Sequence, residues 1–267
     1  MNGWPLLLLM WVVLLCVMAV PSGCVSAQPA GPTDVFLLIG QSNMSGRAQM
    51  IEGDDAVLEG VLLLNDRGGW EPARQPMNRY ASDRKDLSVQ RFNLGGPFAV
   101  SLREAYPEKV PGLIVNARGG TKIEAWQPGE DLYEHALDRV RSLKGVKLAG
   151  VLWHQGEGNA MDEEYADKLE KLIDGIRRDL DQADLPFIAG HIGIENVINT
   201  QVDALAQRVA SMGVVSIEGL NPPDSDGHFD RDGMIVLGRR YAEAYMSILS
   251  ERIAGGSQAG DAREDQD

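Results

Sequence analysis

Six short apolar runs, at residues 34–39, 61–64, 113–116, 148–153, 187–192 and 214–217, punctuate the chain, and the stretches between them keep a helical period. The clearest helical stretches are 130–144, 162–183, 200–212 and 232–252, the second with a charged face that includes Asp162, Glu163, Lys168, Lys171 and Arg178. Strands alternating with amphipathic helices build βαβ units, which set a parallel sheet between two helical layers. A strand buried on both faces needs no polar alternation, and DVFLLI (34–39) shows none beyond its first residue. The expected fold class is therefore α/β with a central parallel sheet. No linker or repeat divides residues 28–253, so one domain is expected there. Residues 65–96, rich in Asn, Arg, Gly and Pro, break the rhythm and read as a long excursion that walls a pocket.

The two ends stand apart. Residues 5–20 are apolar without interruption and VSA (25–27) has the form of a cleavage site, which predicts a secretory signal over 1–27 and an exported, periplasmic or extracellular protein. The segment before residue 5 carries no Lys or Arg, so a retained membrane anchor is one alternative, and lipidation of Cys24 is another. Membrane attachment is expected only in those two cases. Cys16 and Cys24 are the only cysteines, so a chain cut after Ala27 has neither a disulfide nor a thiolate to offer. All 25 Lys and Arg lie beyond residue 27 and the net charge is −14, which disfavours nucleic acid as a partner. Residues 254–267 lack apolar periodicity and are expected to form a disordered acidic tail.

Four polar clusters follow strand-like runs: GQSN (40–43), ARGGT (117–121), HQGEGN (154–159) and DSDGHFD (224–230). In a doubly wound sheet these ends face one crevice, where ligands bind. The residue types fit acyl transfer. A serine hydroxyl needs a base to take its proton, the base needs an acceptor to fix its tautomer, and the developing oxyanion needs fixed donors. Ser42 is the expected nucleophile and His228 the expected base. The oxyanion donors are expected from the backbone N–H of Ser42 and of Gly120 or Gly119, with the side-chain amide of Gln155 or Asn43; Gln41 is grouped with them as substrate-facing. The lipase-type elbow G-x-S-x-G is not matched, because Met44 stands at its last glycine. No cluster offers three plausible metal ligands, so no metal and no cofactor are expected. His154 is read as a supporting hydrogen-bonding residue, His191 as a possible crevice residue and His135 as solvated. Trp126 and Trp153 flank two clusters, where an indole face suits a sugar ring and core packing is the commoner use.

GQSNMSG (40–46), ARGGTKIEAW (117–126), WHQGE (153–157) and DGHFDRDGMIVLGRRYAEAY (226–245) resemble the sialate O-acetylesterase-like domain of the SGNH hydrolase superfamily, which includes the acetylxylan esterases of carbohydrate esterase family six. The resemblance spans about residues 34–250. It implies a flavodoxin-like three-layer α/β/α sandwich and metal-independent removal of acetyl groups from carbohydrate, either a polysaccharide such as xylan or a sialic-acid-type glycan. By position Ser42 corresponds to the family nucleophile, Gly120 and Gln155 to oxyanion contributors and His228 to the base. The family often has an Asp three residues before that histidine, and here the position is Ser225, between Asp224 and Asp226. Glu157 and Asp226 are equal candidates to orient His228, with Asp224 behind them. Two other readings compete. A lipase or thioesterase would need an apolar loop to cradle an acyl chain, and none is evident. A non-catalytic carbohydrate-binding protein would not need Ser42, His228 and their acidic neighbours intact.

Overall fold

The structure, a computed structural model, describes residues 31–83 and 86–264. The expected signal segment, with Cys16 and Cys24, lies outside the described residues. In chain order the main elements are β1 (Asp34–Gly40), α1 (Ser42–Ser45), β2 (Leu62–Leu64), β3 (Trp70–Pro72), α2 (Gly95–Ala105), β4 (Pro111–Val115) and α3 (Asp131–Arg141). They are followed by β5 (Leu148–His154), α4 (Tyr165–Asp179), β6 (Phe187–Gly190), α5 (Ile198–Ala206), β7 (Met212–Val215) and α6 (Arg231–Glu264).

One seven-stranded sheet runs in the order β3-β2-β4-β1-β5-β6-β7. Its unbroken apolar strands feed two cores. In β1, Val35, Leu37 and Ile39 face a core shared with α3, α4 and α5, while Phe36 and Leu38 face one shared with α2 and α6. Successive side chains of a strand point to opposite faces, so one apolar run serves both helical layers and an α/β/α sandwich results. Three of the four expected helices lie on their patterns, and the one expected over 200–212 is shorter, α5 ending at Ala206 before β7 begins at Met212. α4 buries Leu169, Leu172, Ile173 and Ile176, the i, i+3, i+4, i+7 stripe of an amphipathic helix. Trp126 and Trp153 are fully buried and meet edge to face at 5.6 Å between ring centres. They are core residues and not a sugar platform.

One expectation needs correction. The sheet is not wholly parallel: β3 pairs antiparallel with β2 at one edge. The cause is the tight connection, in which Asn65 Oδ1 accepts from the N–H groups of Arg67 and Gly69 and folds the chain straight back. The excursion ends in helix α2, which the GGP sequence at its start concealed. Its apolar residues Phe98, Ala99 and Leu102 are buried, and Gly238 of α6 sits against the Leu94 carbonyl and Pro97, where a larger residue would hold the helices apart. α6 itself runs as far as Glu264, into the stretch read from sequence as an acidic tail. Extending a helix already nucleated adds a hydrogen bond for each residue fixed, so apolar periodicity is not required there.

Candidate active site

The six parallel strands end on one side, and β1 lies at the centre of the sheet between β4 and β5. Gly40 closes β1 with φ +134°, and a Cβ there would overlap the His154 carbonyl, so the residue both adopts and permits the close approach to β5. Beyond it the chain stays bonded on both sides: Gln41 N–H donates to His154 O at 2.9 Å, and Arg118 N–H donates to Gly40 O at 2.9 Å. A single helical turn follows. Ser42 opens it, 7% exposed, and the cap position belongs to Gln41, whose side chain makes no capping bond. Met44 is buried beneath, and its carbonyl accepts from Asn93 Nδ2 at 2.8 Å.

The 117–121 loop lies beside this turn. Asn78, from the excursion, clasps Ala117 in both directions, donating to its carbonyl and accepting from its N–H, each at 2.9 Å. Gly119 lies against the turn, with its absent Cβ 3.6 Å from Ser42 Cα, and Gly120 has φ +74° with open space where a side chain would be. Arg47 packs on Gly119, while its Nη1 donates to Gly46 O at 2.7 Å and Val89 O at 2.6 Å. The excursion is therefore a fixed wall of the crevice. Gln75 strengthens it by donating to Asn93 O at 2.8 Å. Neither Arg47 nor Asn78 was singled out from sequence. Arg47 stands five residues after Ser42, which is the one cue available; nothing local marks Asn78.

Two side chains expected to donate to an oxyanion are engaged elsewhere. Gln155 Nε2 has three acceptors around its two protons: Gln41 Oε1 at 3.1 Å, Thr121 O at 3.1 Å and Asn159 Oδ1 at 3.0 Å. It braces β1's end against two loops. Asn43 Nδ2 donates to Glu157 Oε1 at 2.6 Å and to Gly227 O at 2.9 Å, and its Oδ1 accepts from Phe229 N–H at 3.2 Å. Both amides are committed because a buried polar group must find partners.

His228 stands between Gly227 and Phe229, 20% exposed at its side chain, and its Nδ1 lies 3.4 Å from Asp224 Oδ2. Asp224 Oδ1 accepts from the N–H groups of Asp226 and His228, each at 2.9 Å. Those contacts close the loop on itself. The His228 N–H is the largest of the influences that hold the Asp224 carboxyl below its usual range, against an opposing effect of burial. The carboxylate within ion-pair distance of His228 is thus that of Asp224, four residues before it, the candidate placed behind Glu157 and Asp226 from sequence. Asp226 is exposed and contributes a backbone N–H to Asp224. Glu157 lies under Gly227 and faces Asn43, with Oε2 buried and unpartnered. Burial pushes its carboxyl up to about 7.

The remaining histidines stand apart from this chemistry. His154 is buried, with Nδ1 3.1 Å from the Tyr241 hydroxyl, and burial lowers it to about 4, so the ring is neutral. His191 pairs with Asp203 and His135 with Asp83, each at 2.9 Å. Among the described residues no group of three or more His, Cys, Asp or Glu is arranged to hold a metal ion.

A family model described as carbohydrate esterase, sialic acid-specific acetylesterase, matches residues 32–247. The probable carbohydrate esterase At4g34215 of Arabidopsis thaliana is 29% identical over 244 residues, covering 82% of this chain and 92% of that one. The crystal structure of that protein superimposes with a TM-score of 0.72 at 27% identity, over 81% of this chain and 99% of its own. XAC1771, a carbohydrate acetylesterase from Xanthomonas citri, gives 0.60 at 21% identity over 80% of this chain and 56% of its own. NanS gives 0.61 at 18% identity over 83% and 99%. The last two likenesses concern the fold alone.

Proposed function

The chain belongs to the family of carbohydrate esterases described as sialic acid-specific acetylesterases, and from that premise we propose that it removes O-acetyl groups from carbohydrate with Ser42 as nucleophile, His228 as base and Asp224 as the acid that orients the base. The observation that carries the reading is the meeting of two distant segments: Asn43, next to Ser42, is bonded to the residues on either side of His228. Ser42 Oγ attacks the acetyl carbonyl carbon as its proton passes to His228 Nε2. The tetrahedral intermediate then collapses, the C–O bond to the sugar breaks, and the imidazolium returns the proton to the leaving oxygen. Water repeats the sequence on the acetyl-serine and releases acetate. Asp224, ionised at neutral pH, accepts from Nδ1–H and stabilises the imidazolium. A separation of 3.4 Å is long for such a bond, and catalytic hydrogen bonds commonly tighten when substrate binds.

With the Gln155 and Asn43 amides committed, the oxyanion donors in this reading are the backbone N–H groups of Ser42 and of Gly119 or Gly120. Nothing in the scheme needs a metal or cofactor. Activity is expected to survive EDTA, and a chelator-sensitive enzyme restored by zinc would remove the serine mechanism. The sugar is either an acetylated polysaccharide such as xylan or a sialic-acid-type glycan. Released acetate measured over a panel of both decides between them, and an enzyme that releases acetate from neither overturns the proposal. Export belongs to the same reading: the mature chain is expected to begin at Gln28, and an intact mass that shows a diacylated Cys24 would make it a tethered lipoprotein instead.

A further inference from the structure

We infer that Asn43 is a positioning residue for the base, clamping the loop that carries His228 on both flanks and so fixing the imidazole relative to the neighbouring Ser42. The inference rests on the reading of Ser42 and His228 as nucleophile and base. Asn43 is fully buried and makes no contact typical of a simple turn residue. Its bonds leap 184 and 186 residues, to Gly227 O and Phe229 N–H, which are the backbone groups immediately before and after His228. A peptide held at both neighbours has little freedom left at the residue between them.

Glu157 sets the direction of the clamp. With Oε1 of Glu157 and the Gly227 carbonyl both accepting from Nδ2, a carboxamide turned by half a rotation would set its oxygen against two acceptors and its NH2 against the Phe229 N–H. Only one orientation satisfies all three partners. Glu157 also forms the floor under the loop, because a Cβ on Gly227 would lie 3.0 Å from Glu157 Cγ, and Gly227 itself adopts φ +82°. On the far side Phe229 is buried and packs edge-on against His154 at 6.1 Å. The other support of His228, Asp224, is 57% exposed and belongs to the same loop. It orients the ring within the loop and cannot tie the loop to Ser42. That tie runs through Asn43.

The test compares Asn43→Ala, Asn43→Asp and His228→Ala in steady-state hydrolysis of p-nitrophenyl acetate. Displacing a catalytic group by about 1 Å costs on the order of 100-fold, so Asn43→Ala is expected to lower kcat by about that factor with KM changed less than about threefold. The groups in contact with an acid introduced at this position are Glu157, the Gly227 carbonyl and the Phe229 N–H, with His228 between the last two in the chain and Asp224 within the same loop. A second carboxyl in contact with Glu157 disfavours double ionisation without preventing it, so Asn43→Asp is expected to match the alanine variant where the last proton leaves the pair, near pH 8 and above, and to recover at least about tenfold, relative to wild type at the same pH, toward pH 5.5 as one proton is shared. Loss of packing alone would give a pH-independent ratio. The clamp is overturned if Asn43→Ala keeps kcat within about threefold of wild type while His228→Ala is inactive, or if the Asn43→Asp deficit is flat with pH. A His228→Ala enzyme with undiminished turnover instead overturns the underlying reading, and the clamp with it. Should the alanine variant fail to fold, the pH ratio of Asn43→Asp decides.

Discussion

Ser42 and His228 reach the crevice by different structural means. Ser42 continues the central strand: the backbone of Gly40 and Gln41 is bonded to the end of β5 and to the loop that follows β4, and Met44 is buried. His228 sits on a loop outside the sheet, closed by Asp224 and joined to the turn that carries Ser42 through the Asn43 side chain. One partner is placed by the backbone, the other by side chains. Backbone placement survives many changes of neighbouring side chain, whereas side-chain placement can be moved along the loop by one residue when its local geometry changes. The proposed acid would show that second behaviour, since Ser225 occupies the position where the resembling family often has Asp, and Asp224 stands 3.4 Å from the imidazole.

The largest expected effect tests the backbone-placed partner. Ser42→Ala should abolish acetate release and leave stability within about 1 kcal/mol, because loss of one hydroxyl opens little space. A serine-directed fluorophosphonate should label Ser42 in the wild type and fail on the variant. Full activity in Ser42→Ala, or labelling at another serine, would reduce this turn to a structural feature. Next in size comes the side-chain-placed partner. Asp224→Asn keeps the oxygen that caps the loop but removes the charge that selects the imidazole tautomer, and kcat should fall by about 100-fold or more. Asp226→Asn, which alters only an exposed side chain, should change kcat less than about threefold. The reverse ranking would break the assignment of the acid, and equal near-wild-type rates would remove the acid from the mechanism.

The same contrast explains what could be read from sequence. Position after a buried strand is a linear signal, so the crevice, its four polar clusters and Ser42 are visible in the pattern of apolar runs. The helical layers on both faces of the sheet follow from the same pattern, whereas the strand order does not. What stayed hidden depends on side chains meeting across the chain. Gln155 and Asn43 have the right chemistry for an oxyanion, and only their partners reveal that their amide protons are already taken. Asn78 sits in a stretch with no period, and its clasp on Ala117 is 39 residues away. Helix α2 gives little signal at its start because Gly95, Gly96 and Pro97 resemble a turn, although Pro is acceptable in a first helical turn.

A smaller effect sharpens the comparison from the wall of the crevice. Asn78→Ala leaves the Ala117 N–H and carbonyl without their partner in a buried setting. The expected loss is about 1–3 kcal/mol of stability. If the backbone truly places Ser42, kcat below the melting transition should fall by less than about tenfold, in contrast to the loss expected at Asn43. Chemical denaturation and p-nitrophenyl acetate turnover, measured on one preparation, separate the two. A kcat loss as large as that of Asn43→Ala with unchanged stability would mean that the wall positions the nucleophile as much as the strand does.

The smallest effect concerns Glu157, which lies where the two halves meet. Its carboxyl has an ordinary value of 4.5 and is raised to about 7 in the folded protein, chiefly by burial, against the bond from Asn43 and a backbone hydrogen bond. The native state therefore binds this proton more tightly than the unfolded chain does. Stability from this group is complete below 4.5 and is lost as pH rises through about 7. Part of the side chain reaches solvent, so the loss is about 1–3 kcal/mol at a conversion of roughly 1.4 kcal/mol per unit. Glu157→Gln resembles the protonated form and keeps an oxygen to accept from Asn43. The variant should match the wild type near pH 4.5 and unfold at a higher temperature than the wild type near pH 8. Its kcat should stay within about fivefold if Asp224, as proposed, is the carboxylate that orients the imidazole. A Glu157→Gln enzyme as inactive as Asp224→Asn would place the orienting charge on Glu157 and join the two halves of the site through that carboxylate.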